Sequence, residues 1–179
     1  MNRSLVTVID DAELRLVGAV VESGEFLITD KVSYKIGDPK RGDIIVFHAP
    51  EAANCPEGTG CDFIKRILAE PGDTIRLSNS TFFVNGQRLD EAYIPDEFET
   101  KPGDFTRGSR TVSLGPGEYF VVGDNRPYSS DSRQWGPIQR SDIVGKALFR
   151  YWPFDKMGII EDTTYGIDQQ QPAAPALAT

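Results

Sequence analysis

A dense group of polar side chains directly follows a predicted buried strand. The strand is EYFVV (118–122), and the polar stretch is GDNRPYSSDSRQWGPI (123–138), which holds two Asp, two Arg, three Ser and one Asn. Side chains of opposite charge that satisfy one another can hold a desolvated catalytic group in place. A solvated capping loop explains the polarity of the stretch but not its density of paired charges. The stretch is therefore a candidate support for a catalytic side chain.

A lysine lies among apolar residues in a second predicted strand. Lys65 is the centre of FIKRI, with Phe63, Ile64 and Ile67 as apolar neighbours. Such surroundings disfavour the charged ammonium, so we expect a lowered lysine pKa and a neutral amine that can take a proton. An ordinary strand lysine that points to solvent beside Arg66 is the alternative interpretation of these five residues.

Three segments and their order connect this lysine with the polar stretch. RGDIIVF (41–47) is followed by FIKRILAEPGDTI (63–75) and then by GDNRPYSSDSRQWG (123–136), with GEFLITDKVSY upstream and NGQRLDEAYI between. Over residues 24–155 the series resembles the bacterial type I signal peptidases. The resemblance implies a mostly β domain of folded antiparallel sheets. It also implies endoproteolytic removal of signal peptides after Ala-x-Ala, with a serine nucleophile and a lysine general base.

The resemblance gives a role to several residues of these segments. Lys65 matches the general base, and Ser129 matches the residue whose hydroxyl orients the lysine amine. Ile64 matches a position that lines pockets for small side chains, beside a peptide that adds to a sheet edge as an extended strand. Asp131 and Arg133 are expected to form an ion pair behind the site. The full supporting set is Asp124, Asn125, Arg126, Asp131, Ser132 and Arg133.

The serine nucleophile of the family has no counterpart at its expected position. In the family it lies in Ser-Met-x-Pro-Thr-Leu, ahead of a Gly-Asp or Gly-Glu pair that corresponds here to the pair beginning at Gly24. Counting back from Gly24, Leu16 occupies the nucleophile position, and Ala19 and Val20 occupy the Pro-Thr positions. Ser23 lies seven residues further along, and at ~3.3 Å per extended residue that is far from the lysine.

No other side chain offers a clear replacement for the nucleophile. Ser4 has no supporting context, and His48, the one histidine, lies in IIVFHAP, where we expect it to face the core or its rim. The acidic residues are many, but none is singled out by its surroundings. Loss of a nucleophile removes most of the ~10⁶-fold acceleration of such an enzyme. Cleavage is therefore expected to be weak or absent.

Three explanations for the missing serine stay open. The chain could be an engineered or truncated form of an active peptidase, or the region of Ser23 could supply a nucleophile. It could also be a natural non-catalytic homologue, a pseudoenzyme that acts as a binding or assembly factor for secreted proteins. The expected partners are signal-peptide-bearing preproteins with extended Ala-x-Ala segments. No cofactor or metal is expected, because a lysine base needs neither. A Ser/Lys self-cleaving repressor is disfavoured by the acidic charge and the lack of a helical DNA-binding module.

Charge and hydropathy restrict the partner and the location. A formal net charge of −8 disfavours a nucleic-acid partner, since phosphate binding needs a basic surface. No apolar run approaches the ~20 residues of a membrane helix, and the N-terminus has no signal-peptide pattern. The chain as given is therefore expected to be soluble and without an anchor. The resemblance places the family at the outer face of the bacterial cytoplasmic membrane, so contact with the membrane surface stays open.

The two cysteines, Cys55 and Cys61, lie close together in NCPEGTGCD. Two Gly and one Pro stand between them, so the loop can bring the sulfurs together, and a disulfide is the leading interpretation. A disulfide would indicate an oxidising compartment. Two free thiols in a mobile loop are the alternative, whereas a zinc site lacks further ligands.

Strand-forming runs punctuated by Gly and Pro turns predict one mostly β domain over residues 1–162. Asn85-Gly86 in TFFVNGQRL predicts a type I′ hairpin. Residues 91–110 are polar and predict an excursion from the core. Residues 163–179 predict a disordered tail, in which Ala176-Leu177-Ala178 has the Ala-x-Ala form and is a candidate occupant of the peptide groove. The predicted strands are SLVTVI, LRLVGAVV, EFLITDKVSY, DIIVFHA, FIKRILA, TIRL, TFFVNGQRL, RTVSL, EYFVVG and IVGKALFRYW.

Overall fold

Antiparallel strands make up most of the regular structure in a computed structural model that describes residues 16–21, 25–53, 61–152, 155 and 157–169. Within this part of the chain the helices are single turns, α1 (Ser33–Ile36) and α2 (Ser132–Trp135), with short 3₁₀ turns between strands. The strands are β1 (Leu16–Val21), β2 (Glu25–Asp30), β3 (Ile44–His48), β4 (Asp62–Ala69), β5 (Thr74–Ser78), β6 (Thr81–Val84), β7 (Gln87–Arg88), β8 (Thr111–Ser113), β9 (Glu118–Val122), β10 (Ile138–Gln139), β11 (Ile143–Trp152) and β12 (Gly158–Ile159).

The described strands form two sheets. The larger has the order β1-β2-β11-β3-β4-β9-β10, with β12 paired to β11, and the smaller has the order β7-β6-β5-β8. All pairs are antiparallel, and β11 shifts register against β2 and β3, as strands do where a bulge bends them. The predicted fold class, a mostly β domain of folded antiparallel sheets, is confirmed.

The hairpin of the smaller sheet follows its turn sequence. Val84 pairs with Gln87, and Asn85 and Gly86 between them both have positive φ, at 52° and 80°. Positive φ at both central residues is what a type I′ turn requires. The side-chain oxygen Oδ1 of Asn85 also accepts the Thr74 backbone N–H at 2.9 Å, which ties the turn to β5. The predicted hairpin is confirmed.

The central strands of the larger sheet are buried on both faces. Ile67 packs on one face with Phe47 and Val121, while Leu68 packs on the other face with Phe82. Strands buried on both faces read as continuous apolar runs, and this is the pattern of Ile67–Ala69 at the end of β4 and of Tyr119–Val122 in β9. Because β4 and β9 are fixed in this way, the residues at their ends are held in place as well.

Two segments differ from the sequence prediction. EFLITDKVSY is not one strand, because β2 ends at Asp30, whose carboxylate accepts the backbone N–H groups of Val32 and Ser33 and starts α1. The Ser33 hydroxyl also donates to this carboxylate. That hydrogen bond contributes most to lowering the pKa of Asp30, and the two backbone hydrogen bonds lower it further. The packed chain also extends beyond the boundary predicted at residue 163, because Tyr165 is 2% exposed and belongs to the core. SLVTVI and residues 170–179 lie outside the described residues.

Candidate active site

The strand that carries the lysine runs past the end of its neighbour. β4 pairs with β9 only from Arg66 to Ala69, whereas on its other edge it pairs with β3 from Asp62 onward. Residues 62–65 therefore extend beyond the last residue of β9. The chain leaves β9 at this point and enters residues 123–131, here called the polar loop. One edge of β4 and the polar loop thus meet at Lys65.

Lys65 and Ser129 meet above Gly123, the first residue of the polar loop. A Cβ atom on Gly123 would lie 2.1 Å from Ser129 Oγ and 3.4 Å from Lys65 Cδ. The two side chains occupy the space that any larger residue at position 123 would fill. Ser129 Oγ is buried and accepts or donates no hydrogen bond within the described ranges. Hydrogen bonds between catalytic groups are often long or poorly aligned until substrate binds. The structure thus places Lys65 and Ser129 close together, with no hydrogen bond to the Ser129 hydroxyl in the described ranges.

The face of β4 that carries Lys65 is lined by aromatic rings. Lys65 Nζ lies 5.4 Å from the centroid of the Phe63 ring, and Phe63 packs edge-on against Phe47 with centroids 6.2 Å apart. The Trp135 ring also packs against Phe47, with centroids 6.1 Å apart. The lysine stem therefore lies against an apolar wall, as FIKRI predicts.

Ile64 lies on the opposite face of the same strand. Successive residues of a strand point to opposite faces, and Ile64 packs with Val46 and Ala147 rather than with Phe63. A peptide on the β4 edge would meet Ile64 only with the side chains that point to that face. The predicted pocket role of Ile64 thus stays a prediction and is limited to one face of the groove.

A buried ion pair holds the two ends of the polar loop. Asp131 is 0% exposed and accepts from Arg133 Nε and Nη2, each at 2.8 Å. The same carboxylate accepts the Gly123 backbone N–H at 3.1 Å. Arg133 in turn donates to the backbone carbonyls of Arg126 and Ser129 at 2.9 and 3.3 Å. The pair therefore fixes Gly123 and Ser129 relative to each other.

The oppositely charged partners of Asp124 and Arg126 lie outside the loop. Asp124 accepts from Arg66 Nη2 at 2.8 Å, and Arg126 donates to Glu91 at 3.0 Å from Nη1. The sequence predicted that the charges of the loop satisfy one another. Instead, Asp124 pairs with Arg66, which is 58 residues away, and Arg126 pairs with Glu91, which is 35 residues away. No local pattern indicates contacts at that separation. Each pair connects the loop to another element.

The other two predicted supporting residues differ in what they contact. Ser132 Oγ accepts the Val121 backbone N–H at 3.0 Å, which secures the end of strand β9 just before the loop. Asn125 is exposed, and its carbonyl accepts the Tyr128 N–H at 3.2 Å. Ser132 thus supports the end of β9, whereas the Asn125 backbone helps to shape the turn.

The position predicted for the nucleophile lies far from the lysine. Leu16 pairs with Asp30 and Asp30 with Lys146. Lys146 pairs with Ile45 and Ile45 with Lys65, so Leu16 and Lys65 lie in one cross-strand row. With strands ~4.8 Å apart, four steps correspond to roughly 19 Å along the sheet. Three strands therefore separate the strand of Leu16 from the strand of Lys65 in the larger sheet.

Other residues considered for the site lie at the outer end of the β3–β4 pair or outside the described residues. His48 is exposed and its Nδ1 lies 2.6 Å from Asp62 Oδ1, at the outer end of the β3–β4 pair. Cys61 is disulfide-bonded, but Cys55 lies outside the described residues, so the pairing of the two cysteines stays a prediction. Ser4, Ser23 and the Ala176-Leu177-Ala178 triplet also lie outside them.

Two kinds of feature are absent from the described part of the chain. No group of three or more His, Cys, Asp and Glu side chains there could hold a metal ion. No helix among these residues has the length and the apolar character needed to cross a bilayer.

Comparison with known proteins gives one consistent result. A family model described as signal peptidase, peptidase S26, matches residues 17–152. The chain is 43% identical over 142 residues to signal peptidase I of Bacillus caldolyticus, which covers 75% of this chain and 73% of the relative. It is 36% identical over 147 residues to signal peptidase IB of Staphylococcus aureus strain COL, which covers 76% of this chain and 73% of the relative.

Two further similarities cover different shares of the chains. The chain is 39% identical over 138 residues to probable signal peptidase I-2 of Synechocystis sp., across 76% of this chain, and it spans 59% of that relative's length. A crystal structure of a signal peptidase I from Enterococcus faecalis V583 is 28% identical, with a TM-score of 0.48. That match covers 62% of this chain and 97% of the other.

The first prediction concerns the contact above Gly123. Gly123→Ala places a methyl group where Ser129 Oγ now lies, so we expect Ser129 to be displaced from Lys65 and the protein to lose about 1–3 kcal/mol of stability. Urea unfolding and a crystal structure of the variant measure both effects. Gly158→Ala is the matched control, because nothing lies within 4 Å of its Cβ position. An unchanged Ser129 position in Gly123→Ala would show that the contact is not as tight as described.

The second prediction concerns the buried ion pair. Asp131→Asn leaves the buried Arg133 charge without its carboxylate, and we expect a loss of about 3–5 kcal/mol in the free energy of unfolding. Arg107 and Asp104 form an exposed pair, so Asp104→Asn should cost less than about 1 kcal/mol. Equal losses in the two variants, measured by urea unfolding, would contradict the role given to Asp131.

Proposed function

Because the chain belongs to the signal peptidase family, peptidase S26, as its resemblance to the bacterial type I signal peptidases predicted, we propose that it is a signal peptidase I-like domain that binds secreted preproteins. The proposed ligand is an extended Ala-x-Ala segment of a signal peptide. The observation that carries the proposal is the meeting of Lys65 and Ser129 above Gly123, at the edge of β4.

The proposed binding mode is addition of a strand. Residues 62–65 run past the end of β9, so a peptide laid beside them would continue the sheet where β9 leaves it. Its side chains would alternate between the Phe63 face and the Ile64 face of β4. Apolar walls of this kind suit small apolar side chains such as alanine. The carbonyl of the bond after Ala-x-Ala would then lie near Lys65.

The proposed chemistry follows from the roles of a Ser/Lys pair. In the family reaction a serine hydroxyl attacks the peptide carbonyl while a neutral lysine amine takes its proton, and the lysine then returns a proton to the leaving amine. Here Lys65 is the proposed base, and the Ser129 hydroxyl is proposed to orient its amine. The Asp131–Arg133 pair supports this role, since it fixes Ser129 and Gly123 together.

We propose that cleavage is impaired in this chain. Leu16 stands where the family has its serine, and its backbone lies four strands from Lys65 in the larger sheet. The Ser129 hydroxyl lies near the lysine stem above Gly123, but its Oγ atom is buried and so is not open to a peptide. A base without an accessible nucleophile supports binding and not turnover.

A non-catalytic homologue that acts as a binding or assembly factor for secreted proteins is the second candidate. It is favoured by one observation, which is that the charged support around Gly123 is complete although the serine motif is absent. In both candidates the proposed location is the outer face of the bacterial cytoplasmic membrane. Contact with the membrane surface is part of that proposal, and a nucleic-acid partner is not.

The third prediction tests the binding mode. A fluorescein-labelled peptide containing Leu-Ala-Gln-Ala is compared with two versions that carry N-methyl groups on alternating amides. Only the amides on one edge of an added strand face β4, so one version should bind about tenfold more weakly while the other binds normally. Fluorescence anisotropy gives the three dissociation constants. Equal weakening in both versions, or none in either, would rule out strand addition.

A further inference from the structure

The segment after β12 lies beyond the family match and packs back on the sheet. The match ends at residue 152, and residues 160–167, here called the strap, follow it. The Ile160 backbone N–H donates to the Leu148 carbonyl at 2.8 Å, and the Thr163 N–H donates to the Gly42 carbonyl at 3.4 Å. The strap is thus joined first to β11 and then to the turn before β3.

The middle and the end of the strap are held by close packing. A Cβ atom on Gly42 would lie 1.7 Å from the Thr163 carbonyl oxygen, so the strap sits directly on this glycine. Tyr165 is buried in the core, and its hydroxyl lies 2.7 Å from that of Tyr93. Burial raises the pKa of both phenols, which keeps them neutral and able to share this hydrogen bond.

One guanidinium joins the strap to the polar loop. Arg66 Nη1 donates to Thr163 Oγ1 at 2.9 Å and to the Gly42 carbonyl at 3.0 Å. Arg66 Nε and Nη2 donate to the two carboxylate oxygens of Asp124 at 3.0 and 2.8 Å. Its flat face lies 4.3 Å from the centroid of the Tyr93 ring. Arg66 therefore has one end on the strap and the other on the loop.

The charge of this guanidinium is secure. Burial alone would lower the pKa of Arg66, but the hydrogen bonds and the charge of Asp124 raise it above its ordinary value. A planar guanidinium with a fixed fork of donors is rigid, so its position at one end determines its position at the other. Arg66 follows Lys65 in β4, and Asp124 follows Gly123 in the chain.

We propose that the strap is a positioning element of the Lys65–Ser129 site, and that Thr163 acts on that site through Arg66 and Asp124. Thr163 sets the place of the guanidinium, the guanidinium sets Asp124, and Asp124 sets Gly123, above which the pair meets. The proposal adds a contribution from outside the family match. A test of the proposal by peptide binding rests on the proposed function, whereas a test by the NMR signals of the site does not.

The test removes one hydroxyl from the strap. Thr163→Val keeps the shape of the side chain but loses the acceptor for Arg66, and Thr163→Ser keeps the acceptor. Asp162→Asn is the control, because Asp162 lies next to Thr163 on the strap and forms its ion pair with Lys146 of β11. Lys146 keeps Asp43 as a partner in that variant. Should Thr163→Val not fold, Thr163→Ala removes the same acceptor.

Two readouts of the site and one of stability are measured on each variant. The first is the ¹⁵N–¹H NMR signals of the Arg66 Nε–H and of the Gly123 amide. The second is the dissociation constant of the labelled Leu-Ala-Gln-Ala peptide, and urea unfolding gives the stability of each variant. We expect Thr163→Val to shift both signals and to weaken peptide binding about 3- to 30-fold. Thr163→Ser and Asp162→Asn should leave the signals and the affinity unchanged, even where stability falls.

The two readouts separate the outcomes. Unchanged signals in Thr163→Val, or equal shifts in Asp162→Asn, would overturn the proposal and make the strap a stabilising segment only. If the unmodified protein binds no peptide, the proposed function fails, and the Arg66 and Gly123 signals still decide whether Thr163 positions the site. Weaker binding in Thr163→Val that Thr163→Ser restores would support both.

Discussion

The site depends on one buried carboxylate. Asp131 has no exposed surface, and a buried charge is strongly unfavourable unless it is paired and hydrogen-bonded. Arg133 and the Gly123 backbone N–H meet this requirement together. A loop conformation that moved Gly123 away would leave the carboxylate without one of these hydrogen bonds. The position of Gly123, above which the side chains of Lys65 and Ser129 both lie, follows from this constraint.

Long-range pairs extend the same principle to the rest of the domain. The Arg126–Glu91 pair joins the polar loop to the polar excursion, and Arg66 joins it to β4. Each arginine is almost fully buried and hydrogen-bonded to more than one partner. The loop is therefore fixed by elements that lie far apart in the chain. An extended peptide would find the β4 edge and the loop already in place, which reduces the cost of ordering on binding.

The sequence predicts what local patterns determine. Asn85-Gly86 predicts its turn through backbone conformation, and EYFVV and FIKRILA predict strands through their apolar runs. The family motifs identify Lys65 and Ser129, which the structure brings together. The partners of Asp124 and Arg126 could not be predicted, because tertiary folding alone brings Arg66 and Glu91 to them. Tyr165 was missed for the same reason, since one aromatic residue in a polar segment gives no periodic signal.

The most direct test of the account uses a quenched-fluorescent peptide that contains Leu-Ala-Gln-Ala. Binding and cleavage are measured for this chain and for Lys65→Ala. The account predicts that the chain binds the peptide and releases no fluorescence, because Leu16 stands at the position of the family's serine and the Ser129 Oγ atom is buried. Cleavage that disappears in Lys65→Ala would contradict it. Such a result would mean that a nucleophile reaches the lysine, with Ser23 the first residue to replace.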